Sequence, residues 1–200
     1  MPSLKLPNVT LIAATSKDRE GHEFALQKSS EEIDFGAVKL VWLEGLNAIN
    51  SIEEWNYFIV YRLHHYVDTE FALLIHADGY VINPQLWRNE WLNYDYIGSP
   101  WPLPQDRFSY RDSKGEIIRV GNSVSLRSKR LLEYADKAHL PWQAFHGYTN
   151  EDGYICVNMR HHYTRAGMKF APLEEAIHFG KEHEIPENVG LSTFVFHTIG

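Results

Sequence analysis

A single cysteine among 200 residues excludes one class of protein at once. Cys156 has no partner for an internal disulfide, so this is not a small secreted domain held by disulfides, and a reducing cytoplasm is the expected compartment. Its neighbours Ile155 and Val157 are apolar, which reads as a buried structural thiol. Positive charge is also scarce: 19 Lys and Arg stand against 26 Asp and Glu, for a formal charge of −7, with no basic run or basic-aromatic patch. Duplex binding rests on clustered cations that neutralise phosphates, so nucleic acid is not an expected partner. No apolar run approaches the roughly 20 residues that span a bilayer, which excludes a transmembrane segment but leaves contact with a membrane surface open. The opening Met1-Pro2-Ser3-Leu4-Lys5-Leu6-Pro7 lacks the apolar core of a signal peptide. Repeats, linkers and low-complexity stretches are missing too, so residues 1–200 are expected to form one domain.

The chain does have a 44% hydrophobic and 14% aromatic content, enough for a well-buried core. Val9 to Thr15 reads as a buried strand, His22 to Ile33 as a weakly patterned helix, and Ala37 to Leu43 as a second strand. Ser51-Ile52-Glu53-Glu54 is a capping box, followed by Trp55, Phe58, Ile59, Arg62, Leu63 and Tyr66 at three- and four-residue steps. Phe71 to Ile75 is a third strand. Strands separated by helical segments predict an α/β fold with a mostly parallel sheet flanked by helices. Beyond residue 80 the texture changes. Aromatics and prolines crowd residues 84–104, a strand or hairpin surrounds Gly121-Asn122, Arg130 to Ala138 and Gly153 to Ala166 are helical, and Phe194 to Phe196 is a last short strand.

The most informative stretch is Leu73-Leu74-Ile75-His76-Ala77-Asp78-Gly79-Tyr80, an apolar strand ending abruptly in a His, an Asp and a Gly. Open α/β sheets build ligand sites at the carboxyl ends of their strands, and a carboxylate delivered there can hold a hard divalent cation. The plain alternative is an Asp-Gly turn after a core strand. Downstream lie Gly121-Asn122-Ser123-Val124-Ser125-Leu126-Arg127-Ser128, then Glu151-Asp152 where a loop enters a helix, and His197 after an apolar strand.

In this order the motifs resemble the GT-A glycosyltransferases, Rossmann-like, metal-dependent enzymes that use nucleotide sugars. They are more closely similar to an uncharacterised bacterial domain family found in polysaccharide gene contexts. That family shows Q-x-D-G, D-Y-I-G-x-P-W, G-N-G-G-F-S-L-R-S, E-D, A-P-x-x-x-A and F-G-F-H. The counterparts here are His76 to Gly79, Asp95 to Trp101, Gly121 to Ser128, Glu151-Asp152, Ala171 to Ala176 and Phe194 to His197. Two departures stand out: Ser123-Val124 replaces Gly-Gly-Phe and is one residue shorter, and His76 replaces Gln.

The resemblance implies a single GT-A domain that moves a sugar from a nucleotide-sugar donor to a saccharide or lipid-linked saccharide acceptor. The expected setting is bacterial surface-polysaccharide assembly. Mn²⁺ or Mg²⁺ is the expected cofactor, with Asp78 and His197 as ligands, since sparse oxygen and imidazole ligation suits these ions better than structural zinc. Asp152 is the expected general base, with Glu151 as its substitute, and attack opposite the leaving group would invert the anomeric centre. The plainer alternatives are a helix cap for Asp152 and an ordinary surface histidine near a terminus for His197. Arg127 is expected to grip the diphosphate or to form a structural salt bridge. Thr15 and Ser16 are expected at the nucleotide by the strand-end rule, with His76 beside them. Gly121, Asn122 and Ser123 would line the sugar or acceptor pocket, and Trp101 would stack on a sugar or belong to the core. The pairs His64-His65 and His161-His162 look metal-like, but adjacent helical residues face different directions, so neither is expected to bind metal. The altered glycine-rich segment keeps a catalytically silent nucleotide-sugar-binding module in play as a second reading. A metal-dependent hydrolase using the same residues is a third.

Overall fold

The computed structural model describes residues 4–142 and 150–198. Its centre is strand β1, Leu4–Thr15, whose residues from Val9 onward are all buried. A strand covered on both faces must be apolar at consecutive positions, which is why Val9 to Ala14 shows no alternation. Leu11, Ala13, Leu73, Ile75 and Leu126 point to one face and pack against Ala25 and Leu26 together with Trp91, Phe179 and Phe194. Ile12, Ala14, Ala72 and Leu74 point to the other and pack against Ile59, Leu63 and Leu132. The period of two along a strand assigns these sets.

After β1 come helix α1 (Arg19–Ser30), β2 (Ile33–Trp42), α2 (Ile52–Tyr61) and β3 (Phe71–Leu74). The capping box before α2 forms in part: Ser51 Oγ accepts from the Glu54 N–H at 3.1 Å, while the Glu54 carboxylate accepts from the Asn50 N–H at 2.6 Å. β4 (Tyr96–Pro100) and β5 (Val120–Ser128) complete a five-stranded sheet of order β2-β1-β3-β5-β4. Ser128 ends β5 and caps α3 (Lys129–Lys137) through its side chain. The short α4 (Glu151–Gly153) runs into a wide π-type turn and then α5 (Arg160–Arg165). α6 (Leu173–Phe179) and the two-stranded parallel pair β6 (Gly180–Lys181) and β7 (Val195–Phe196) follow.

The sheet is mixed, and this corrects the expectation of a mostly parallel one. β1 pairs in parallel with β2 and β3, but β5 is antiparallel to both β3 and β4. Helix-linked crossovers keep β1, β2 and β3 parallel. After β3 the chain makes an aromatic-rich excursion instead, runs up β4 at the edge, and returns down β5 between β4 and β3. The segment around Gly121-Asn122 is accordingly a strand and not a hairpin.

This topology positions the site. Connections from β1 leave to one side through α1 and return on the other through α2, so the switch point lies between β1 and β3. The carboxyl ends of β1, β3 and β4 and the start of β5 meet at one end of the sheet.

Candidate functional site

β3 leaves the core at Ile75, and the chain reverses at once. The His76 N–H donates to the Gly79 carbonyl at 2.8 Å and the Gly79 N–H to the His76 carbonyl at 3.2 Å. Asp78 therefore stands at the tip of a tight turn, with its side chain 54% exposed. The chain's last strand docks on this turn. Both the N–H and the hydroxyl of Thr198 donate to the Asp78 carbonyl at 2.9 Å. Gly79 permits the approach, because a Cβ there would lie 2.8 Å from the His197 ring and 2.6 Å from Val124.

His197 thus comes to lie between two carboxylates: Nε2 is 3.6 Å from Asp78 Oδ1 and Nδ1 is 3.3 Å from Glu182 Oε1. Burial lowers the pKa of this imidazole, but Glu182 and Asp78 outweigh burial and leave it above its ordinary value. The His76 ring stacks on His197 with centroids 5.3 Å apart, and burial together with His197 pushes its pKa well below the ordinary value. Its Nε2 is shielded from solvent and has no partner among the described residues. Glu182 was not expected from the sequence. It lies in the charged run Lys181-Glu182-His183-Glu184, which reads as solvated surface, and only the pairing of β6 with β7 carries it to His197.

Asp152 faces a cleft of about 490 Å³ lined also by Asn158, Arg111, Glu182 and His183. Its Oδ2 accepts from the Asn122 N–H at 3.1 Å and its Oδ1 from the Gly153 N–H at 2.7 Å. Burial, then the charge of Glu151, raises its pKa to about 7. Asn122 holds a left-handed backbone, φ 84°, a conformation that Asn adopts more readily than most residues. Its side-chain oxygen accepts from the Val124 N–H at 2.9 Å, and the Asn122 side chain helps hold the Glu182 pKa below its ordinary value.

Other expected residues lie under the cleft or form its wall. Arg127 and Glu151 are spent on one another: Nη1 is 2.7 Å from Oε2, Nη2 donates to Oε1 at 3.0 Å, and the side chains are 0% and 1% exposed. The expected diphosphate contact of Arg127 and the substitute-base role of Glu151 are therefore corrected. A buried guanidinium bonded to a buried carboxylate presents neither group to a substrate, and the salt-bridge reading of Arg127 is the one observed. Trp101 is 5% exposed and stacked on Tyr110 at 4.7 Å, and Gly121 presses on its ring so closely that a Cβ would fall 1.9 Å from it. Those contacts cover its ring, so the indole is a wall of the cleft and not a sugar platform. Gly121 is buried against that ring, and the Ser123 carbonyl accepts from Ser125 Oγ and Arg127 Nη2, so of the expected pocket residues Asn122 has the direct link to Asp152.

Thr15 and Ser16 close the ends of β1 around a separate cavity of about 280 Å³ with Lys17, Ile49, Ser51, Ile52 and Trp55. Trp55 borders this cavity and packs on His76 with centroids 5.1 Å apart, which joins it to the Asp78–His197 group.

Asp78 and His197 Nε2 together offer a hard oxygen and one imidazole, with Glu182 behind the far nitrogen. A carboxylate on the second nitrogen is how proteins orient metal-binding imidazoles, and this donor set fits Mg²⁺ or Mn²⁺ completed by water or phosphate. Elsewhere, His64, His65 and Asp136 bring one ligand atom each within 4.8 Å of one another, which is consistent with a divalent metal. This corrects the expectation that the His64-His65 pair cannot converge. The two residues lie in a tight 3₁₀ turn, Leu63–Tyr66, and their rings lean together with centroids 3.9 Å apart. The rings of His161 and His162 lie 4.2 Å apart, without a third ligand gathered among the described residues.

The fold is glycosyltransferase-like. The chain is similar to the crystal structure of a glycosyltransferase involved in glycosylation of the major capsid of PBCV-1, with TM-score 0.58 and 13% identity over 96% of this chain and 93% of that one. At that identity the likeness speaks for the fold alone. Residues 40–195 match the family described as Protein of unknown function (DUF5672), and the chain belongs to that family. No curated protein matches the sequence. Among the described residues no helix is long and apolar enough to cross a membrane.

Proposed function

We propose that the chain is a metal-dependent, inverting glycosyltransferase that moves a sugar from a nucleotide-sugar donor to a saccharide acceptor in surface-polysaccharide assembly. One observation carries this reading: a carboxyl group with its pKa near 7, Asp152, lines a cleft beside the Asp78–His197–Glu182 group at the switch point of the sheet. A base poised near the working pH is what deprotonation of an acceptor hydroxyl requires.

In this reading Thr15, Ser16 and Trp55 receive the nucleotide, and the His76 ring, packed between Trp55 and His197, supports the two from behind. Asp78 and His197 would hold the cation, which when bound would offset the charge of the departing diphosphate. Asp152 takes the acceptor proton as the acceptor oxygen bonds to the anomeric carbon. The bond from that carbon to the diphosphate oxygen breaks, and its electron pair leaves with the nucleotide. The Asn122 and Gly153 amides hold the Asp152 carboxylate in place, and the Arg127–Glu151 pair fixes the segment that bears it.

The test is Asp152→Asn in single-turnover transfer. Donor affinity should be nearly unchanged while transfer slows by about 10²–10⁴-fold. Near-parental transfer would remove Asp152 from the base role.

A further inference from the structure

We propose that His64, His65 and Asp136 form a second metal site, distinct from the cleft and selective for a borderline ion such as Zn²⁺, which ties the end of α2 to the end of α3. The place is well separated from the donor cleft. α2 starts beside the Thr15–Ser16 cavity, which Ser51, Ile52 and Trp55 line, and its ten residues carry the chain about 15 Å toward the other end of the sheet. His64 and His65 follow α2, and Asp136 lies in the last turn of α3.

His64 is 7% exposed, yet neither of its ring nitrogens has a hydrogen-bond partner among the described residues. Nδ1 is shielded and meets no polar atom, and Nε2 stops 3.8 Å from Asp136 Oδ2, beyond hydrogen-bond reach. Nε2, the nitrogen that faces Asp136, is therefore the one placed to take a metal. Asp136 has no other cation partner among the described residues, since the neighbouring Lys137 is taken by Glu133 at 2.6 Å. Two ligands on one tetrahedral zinc, each about 2.0 Å from the ion, are roughly 3.3 Å apart. The gap between Nε2 and Oδ2 therefore needs to close by only a few tenths of an ångström, and the exposed His65 ring already leans against the His64 ring, with centroids 3.9 Å apart. Two imidazoles and a carboxylate favour zinc or another late first-row ion over Mg²⁺, the reverse of the preference at Asp78.

The experiment is calorimetric titration of the chelator-stripped protein with ZnCl₂ in the presence of excess Mg²⁺, with melting temperature as a second readout. The parent should bind one equivalent and melt higher when loaded. His65→Ala and Asp136→Asn should each weaken binding by at least about 10-fold and lose the melting shift, while melting like the parent in chelator. Asp78→Asn should bind zinc as the parent does. No zinc binding by the parent, unchanged affinity in both His65→Ala and Asp136→Asn, or loss of binding in Asp78→Asn would each overturn the proposal.

Discussion

Asp152 is a carboxylate whose surroundings oppose its charge. Its pKa in the folded chain is about 7, against an ordinary value of 3.8. Between those two values the folded state holds a proton that the unfolded chain releases, so this group favours folding at low pH, and its contribution is lost as pH rises through about 7. The full difference is at most about 4 kcal/mol, by the conversion of pKa units to free energy. Asn in its place carries no charge, although its amide cannot accept from both the Asn122 and Gly153 N–H groups. Asp152→Asn should therefore melt above the parent at pH 8 and at or below it at pH 5, measured in chelator. A variant whose melting tracks the parent's at both pH values would mean that the carboxyl is not destabilised by burial. The transfer rate should rise with pH through a midpoint near 7 and lose that limb in the variant.

Arg127 and Glu151 illustrate the opposite balance. Burial lowers the pKa of the guanidinium, but Glu151 outweighs burial and leaves it above the ordinary value, and Tyr96 lies beneath it at 5.0 Å. Arg127→Met leaves a buried carboxylate without a partner and should cost about 3–5 kcal/mol in denaturant unfolding. Arg127→Met/Glu151→Leu should recover most of that. If the single variant loses less than about 1 kcal/mol, the pair is not the support described.

At the scale of elements, local grammar was readable where local interactions decide. Ser51 and Glu54 announced α2, and the apolar runs announced β1 and β3, because caps and burial patterns act within a few residues. The turn at His76 to Gly79 was equally legible, but its purpose was not, since Gly79 is required by a histidine more than a hundred positions away. Gly79→Ala would place a Cβ 2.6 Å from Val124 and 2.8 Å from His197. Overpacking of this kind costs about 1–3 kcal/mol. The variant should fold, melt lower, and need more Mn²⁺ for half-maximal nucleotide diphosphate binding. Unchanged metal dependence would separate the turn from the histidine.

Across the whole molecule, the candidate site as a whole, cleft, neighbouring cavity and Asp78–His197 group together, is assembled from stretches that follow β1 and β3, begin β5, open α4 and flank β6 and β7. Asp78→Asn should abolish Mn²⁺-dependent binding of nucleoside diphosphate in calorimetry while leaving the melting temperature in chelator unchanged, because an amide is a far poorer ligand for a hard cation. His197→Ala should raise the half-saturating Mn²⁺ concentration without abolishing binding. Equal Mn²⁺ dependence in parent and both variants would remove the cation from this cleft.

The residues alone determined that the chain builds an α/β core with Asp78 at the end of a buried strand, since burial pattern, capping and turn chemistry act over short distances. Sequence order and resemblance also singled out Asp152 and His197. Only the tertiary structure decided that β5 returns antiparallel between β3 and β4, since strand direction depends on where a long excursion re-enters the sheet. It likewise took Arg127 and Glu151 out of the cleft and brought Glu182 and His76 to His197. Pairing between residues far apart in the chain has no local signature, and a charge looks the same in sequence whether it faces a ligand or a buried partner.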